Sequence, residues 1–207
     1  MKLSEWKKLE TMHFDVLKEI GNIGIAHAAT SLAQILARKI DIDVPNAGIV
    51  ELQELIDAFG AGEEVVICIN LQAEGSAPST VLFLLDEKSA FLLADLLMMM
   101  PTGRRTEIDE MAQSALQEVG NILTVSMLRT LADMTNLTLN PTVPLFAHDM
   151  LAAVLSSSLL ERGIFEEKLI SIETKFHDGD VALKGYFFLI PQEGSLEVIF
   201  QSLGIAL

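Results

Sequence analysis

The chain has 207 residues, half of them hydrophobic, and sets 14 Lys and Arg against 29 Asp and Glu for a formal net charge of -15. This composition specifies a folded globular protein and argues against disorder. The acidic balance repels phosphate backbones and anionic lipid surfaces, so nucleic acid and membranes are excluded as expected partners.

The most apolar run, VLFLLDEKSAFLLADLLMMM at 81–100, is interrupted by Asp86, Glu87, Lys88 and Asp95 well short of a bilayer-spanning length. The opening MKLSEWKKLE is mixed-charge and amphipathic and has no signal-peptide pattern. The single cysteine, Cys68, has no internal partner for a disulfide and reads as a small buried hydrophobe. A cytoplasmic protein is expected.

In chain order, apolar residues at Val16, Ile20, Ile23, Leu32 and Ile35 predict a helix from about Leu9 to Lys39. A short strand and helix in AGIVELQELIDAF follow, then strands EEVVICINLQAE and STVLFLLD around the turn-rich GSAP, then a helix EKSAFLLADLLMM. Met98, Met99 and Met100 close that helix before Pro101. The interruption PTGRRTEID offers Thr106 as an N-cap, with Asp109 three residues on.

A second long helix is expected from about Glu107 to Met134. After it come the passage LTLNPTVPLFA, a helix near HDMLAAVLSSSLLERG, strands KLISIETKFH and VALKGYFFLI, and a last helix near SLEVIFQSLG. The element order is thus written twice, in repeats of about 9–100 and 106–207. Neither half has strands enough for a covered sheet of its own. The expected architecture is one α/β domain over 1–207 with an internal pseudo-two-fold, its shared, mainly antiparallel sheet covered by long helices.

The two long helices carry the same constellation. DVLKEIGNIG places Asp15, Glu19 and Asn22 at i, i+4 and i+7, and SALQEVGNIL places Ser114, Glu118 and Asn121 likewise, ninety-nine residues later. On a helix each trio shares one face. Pro45 and Pro144 follow the two asparagines at equal distances. A solvated face, with Gly21 and Gly120 present for close packing, is the plain alternative. Against it, Asp15 and Glu19 put like charges at i, i+4, which gains a purely structural helix nothing.

A side-chain amide does not titrate near neutral pH, so Asn22 and Asn121 cannot act as bases. An amide both donates and accepts hydrogen bonds, which suits it to holding water. Glu19 and Glu118 suit a charge-assisted bond to a partner's Lys or Arg. No nucleophile, phosphate-cradling loop or metal cluster accompanies them; His13, His27, His148 and His177 lack ligand spacing, so no metal is expected.

At these residues the chain resembles the CheC family of bacterial chemotaxis phosphatases, whose relatives include CheX and FliY. DVLKEIGNIGIAHAAT and SALQEVGNILTVSML look like the family's two signature helices, the downstream prolines match, and the likeness extends to the closing GYFFLIP. Two motifs favour the CheC branch. Gly24, Ile25 and Ala26 depart from the small-residue GAG that often follows the first motif.

The resemblance implies hydrolysis of the aspartyl phosphate of the response regulator CheY. Glu19 or Glu118 would meet the partner's lysine, and Asn22 or Asn121 would align the attacking water. Asp15, Ser114, Pro45 and Pro144 would play supporting roles. No cofactor is expected beyond the Mg2+ carried by phosphorylated CheY. Association with the deamidase CheD is implied as well, and a non-catalytic adaptor binding CheD or flagellar switch components is the alternative.

Overall fold

The computed structural model describes residues 9, 11–36, 41–44, 46–59, 62–159, 168–178 and 181–206. The two helical periods produce α1 (Thr11–Leu36) and, in the second half, α4 (Glu110–Thr135), each 26 residues long. Between them run β1 (Asp41–Asp43), β2 (Ala47–Glu51), α2 (Leu52–Ala58), β3 (Val65–Gly75), β4 (Ser79–Asp86) and α3 (Glu87–Leu97). After α4 come β5 (Leu139–Pro141), β6 (Leu145–Met150), α5 (Leu151–Leu159), β7 (Lys168–Asp178), β8 (Val181–Pro191) and α6 (Ser195–Ser202). The helix expected from His148 starts at Leu151 instead, because His148, Asp149 and Met150 extend β6 opposite Ile67, Val66 and Val65.

All eight strands join one sheet in the order β1-β7-β8-β4-β3-β5, with β2 also on β7 and β6 also on β3. The pairings are antiparallel throughout. The outer strands are exchanged: β1 and β2 lie on a strand of the second half, and β5 and β6 lie on a strand of the first. The registers correspond too. Val65 faces Met150 as Lys168 faces Glu51, and Ala73 faces Pro141 as Phe176 faces Ile42.

Both sheet faces are covered, which is why β3 and β4 read as nearly continuous apolar runs. Ile67, Ile69, Leu71, Val81, Phe83 and Leu85 point into a core shared with α1, α3, α4 and α6. Val66, Cys68, Leu82 and Leu84 point the other way, toward α2 and α5. Burial pushes the Cys68 thiol up to about 12. Cys68 is therefore expected to resist thiol reagents in the native protein and to react once denaturant is added, as titration with a chromogenic disulfide would show.

Two glycines let the long helices press onto the sheet. A Cβ on Gly120 would lie 2.6 Å from the Ile69 side chain of β3, and one on Gly21 would lie 3.1 Å from Ile172 of β7. Ile69 and Ile172 occupy corresponding places in the exchanged registers. A third glycine, Gly24, sets the contact between the helices: a Cβ there would lie 2.6 Å from the sulfur of Met127 and 3.1 Å from its Cα.

Helix α4 starts later than the T-x-x-D pattern suggests. Its N-cap is Asp109, whose carboxylate accepts from the Ala112 amide at 2.7 Å, and Thr106 does not cap it. The cause lies in the preceding loop. Arg105 is drawn down to the buried Asp95 of α3, with Nε to Oδ1 at 3.2 Å, while Asp95 Oδ2 accepts from the Gly103 amide at 3.0 Å. Arg105 also reaches Asp109 at 3.3 Å, so one guanidinium ties the end of α3 to the start of α4. The Ala112 amide and then Arg105 hold the Asp109 carboxyl below its ordinary range.

Gly120→Ala is expected to lower the unfolding free energy by about 1–3 kcal/mol through overpacking against Ile69. Gly21→Ala should cost less, because its nearest neighbour is farther away and alanine favours the helix; chemical denaturation measures both. The depressed acid constant of Asp109 means that its stabilisation is present above about pH 4 and is lost as pH falls through the folded value. Asp109→Ala should therefore lower the midpoint at neutral pH and converge with the unaltered chain in acid, as read by denaturation across a pH series.

Candidate functional site

The packing of the glycines fixes where each constellation points. At about 100° per residue, Asp15, Glu19 and Asn22 lie roughly 100–160° round α1 from Gly21. With Gly21 against the sheet, they face outward. The same geometry holds for Ser114, Glu118 and Asn121 relative to Gly120. Asp15, Glu19, Asn22, Ser114 and Glu118 are exposed, and Asn121 is half-buried. The Ser114 hydroxyl bonds back to the Glu110 carbonyl at 2.9 Å. The side chains of Glu19, Asn22, Glu118 and Asn121 have no hydrogen-bond or ion-pair partner among the described residues. Each Glu and Asn pair is thus presented one turn apart on a rigid helix, with its bonding capacity turned to solvent.

The two pairs form separate sites. Leu17 and Ile20 of α1 line one small cavity with Leu128 and Leu131 of α4, whereas Gly24, later on α1, abuts Met127, earlier on α4. The helices therefore run in opposite directions. Asn22 and Asn121 fall on opposite sides of the contact, about 12 Å apart along the helix axes. That separation is too great for both amides to serve one phosphorus atom.

The loop after each motif is held beside its helix. Pro144 lies under the second motif, its carbonyl accepting from the Gln117 amide at 2.9 Å. Thr142 is fixed on the other side, its amide donating to the Gln72 carbonyl at 2.8 Å and its hydroxyl accepting from the Gln72 amide at 2.9 Å. Pro45 lies outside the described residues, but its neighbours are placed: Val44 is buried, and the Asn46 amide donates to the Glu173 carboxylate at 2.9 Å. Sequence reasoning did not find Gln117, whose contact spans 27 positions and follows no local pattern.

The histidines have different neighbours. His13 is buried, edge-on to Phe200 and 3.2 Å from the Ala206 carbonyl. His148 pairs with Glu87 at 3.0 Å, and His27 lies 3.4 Å from the Thr130 hydroxyl. Among the described residues no cluster of three or more His, Cys, Asp or Glu could hold a metal, and no helix is long and apolar enough to cross a membrane.

Comparison with known proteins centres on these same helices. The CheC-like family matches residues 12–49 and 111–147, which cover both motifs and the loops beside them. The chain is 36% identical over 209 aligned residues to the CheY-P phosphatase CheC of Bacillus subtilis, covering 99% of this chain and 100% of that one. Its fold is similar to that of Thermotoga maritima FliY, with a TM-score of 0.77 at 23% identity over 95% of this chain and 98% of that one. A more distant fold likeness, TM-score 0.51 at 17% identity over 82% of this chain and 96% of that one, is to CheX in the CheX-CheY-BeF3-Mg2+ complex of Borrelia burgdorferi. With near-complete coverage by a relative of this identity, and both motif helices matched, the chain belongs to the CheC family.

Proposed function

We propose that the chain dephosphorylates the response regulator CheY in bacterial chemotaxis, through two sites formed by Glu19 with Asn22 and by Glu118 with Asn121. The observation that carries this reading is the outward, unpartnered Glu and Asn pair on each long helix. It occurs in a chain that aligns end to end with a protein named CheY-P phosphatase.

The helix enters the partner's active site with the amide leading. Asn22 or Asn121 accepts from and donates to the attacking water, placing its oxygen in line with the bond from phosphorus to the aspartyl oxygen. Glu19 or Glu118, one turn earlier, pairs with a cationic side chain of the partner and fixes the approach. Mg2+ bound by the partner supplies charge neutralisation at the phosphoryl oxygens. Phosphoryl transfer depends mainly on orientation and electrostatics, so an amide without acid or base function suffices. One transition-state hydrogen bond is worth about 3 kcal/mol, or on the order of a hundredfold in rate.

The Asn22→Ala, Asn121→Ala double variant is expected to release phosphate from phosphorylated CheY about a hundredfold more slowly than the unaltered chain, with an unchanged circular dichroism spectrum. Unchanged turnover would end the catalytic assignment. If the chain were only an adaptor toward CheD or the flagellar switch, the unaltered protein itself would release phosphate no faster than CheY alone.

A further inference from the structure

The two sites share their polar residues but differ in the surface around them. Beside the second motif stand three exposed apolar side chains: Met111 at 68%, Val143 at 80% and Leu145 at 58%. Met111 lies on the same helical face as Ser114, Glu118 and Asn121, being three, seven and ten residues before them. Val143 and Leu145 flank Pro144. That loop is tied to Gln117, which sits only about 40° round α4 from Asn121.

At the corresponding places beside the first motif, Met12 is exposed at 54%, but Val44 is buried at 6% and Asn46 is bonded to Glu173. In the first loop the valine is turned into the protein, and the exposed neighbour is the polar Asn46. The second loop holds Val143 and Leu145 out to solvent.

Val143 owes its exposure to the pinning of its neighbours. Thr142 is bonded to Gln72 through both its amide and its hydroxyl, and the Pro144 carbonyl is bonded to Gln117, so the segment between them has little freedom to fold its valine inward. A rigid apolar rim next to unpartnered polar side chains has the layout of a docking surface, an apolar contact area beside the groups that confer specificity. The strong net charge of the chain gives it no general attraction for an acidic partner, so close contact must come from local burial.

Resting on the phosphatase reading, we infer that Met111, Val143 and Leu145 form the docking rim of the second site. They would bury an apolar side chain that the phosphorylated receiver protein presents beside its active site, and this makes the second site the tighter of the two. The occupant is the substrate itself. Met111 shares the helical face of Glu118 and Asn121, and the Gln117 bond holds Pro144, between Val143 and Leu145, beside that face, so a partner that delivers a phosphoryl group to Asn121 covers the adjoining loop.

The test isolates each site. In the Asn22→Ala background, which leaves the second site, the V143S/L145S pair is expected to raise KM for phosphorylated CheY about tenfold or more with little change in kcat. In the Asn121→Ala background, which leaves the first site, the same pair should not move KM. Val143→Ser alone, outside any strand, repeats the measurement without touching β6. Equal KM shifts in the two backgrounds, or none in either, would overturn the inference. Binding to CheY held in its phosphorylated form by beryllofluoride and Mg2+ reads the rim without turnover: weaker binding by V143S/L145S supports it, and equal binding rejects it. The double asparagine variant reports separately on the catalytic reading.

Discussion

Two close approaches of helix to sheet set the rest of this molecule. Where Gly21 and Gly120 meet Ile172 and Ile69, the backbone of each long helix settles close onto a strand; a side chain at Gly120 would push it away, and one at Gly21 would need Ile172 to give. The helix is fixed in rotation as well as in height. Once the glycine faces the sheet, helical geometry decides that the carboxylates and amides on the far side face solvent. A constraint of packing thereby becomes a constraint on what each helix presents to solvent.

The sheet supplies the other half of that rigidity. Ile69 and Ile172 sit on strands flanked on both sides, and both faces of the sheet are buried, so the surface against which the helices rest has little freedom to adapt. The ion pair of Asp95 with Arg105 and the capping carboxylate of Asp109 anchor the start of α4, the helix that carries the second motif. The fold thus places close contacts beneath and before the motif, while the Glu and Asn side chains have no partner among the described residues.

Much of this was legible in the residues. Helical and strand periods located every long element, since period follows directly from which faces are buried. The repeated Glu, Gly and Asn spacing singled out two helix faces, and the structure turns Glu19, Asn22, Glu118 and Asn121 outward. What local pattern could not reveal was anything decided across the chain. Arg105 reaches back ten residues to Asp95 and so moved the helix start from Thr106 to Asp109. His148 to Met150 look helical beside LAAVL, but β3 captures them as strand. The bond from Gln117 to Pro144 and the different fates of Val44 and Val143 depend on neighbours far away in sequence. Val44 and Val143 each precede the loop proline, yet one is buried and the other exposed.

The exchange of outer strands between the halves also bears on how the sheet holds together. Either half alone would expose the inner edges of its central hairpin, with backbone amides and carbonyls open along β3 or β7 and along the seam where β4 meets β8. A lone half could satisfy those edges only by docking onto a second copy of itself in the same swapped arrangement. The two halves of the sheet therefore depend on each other for covered edges.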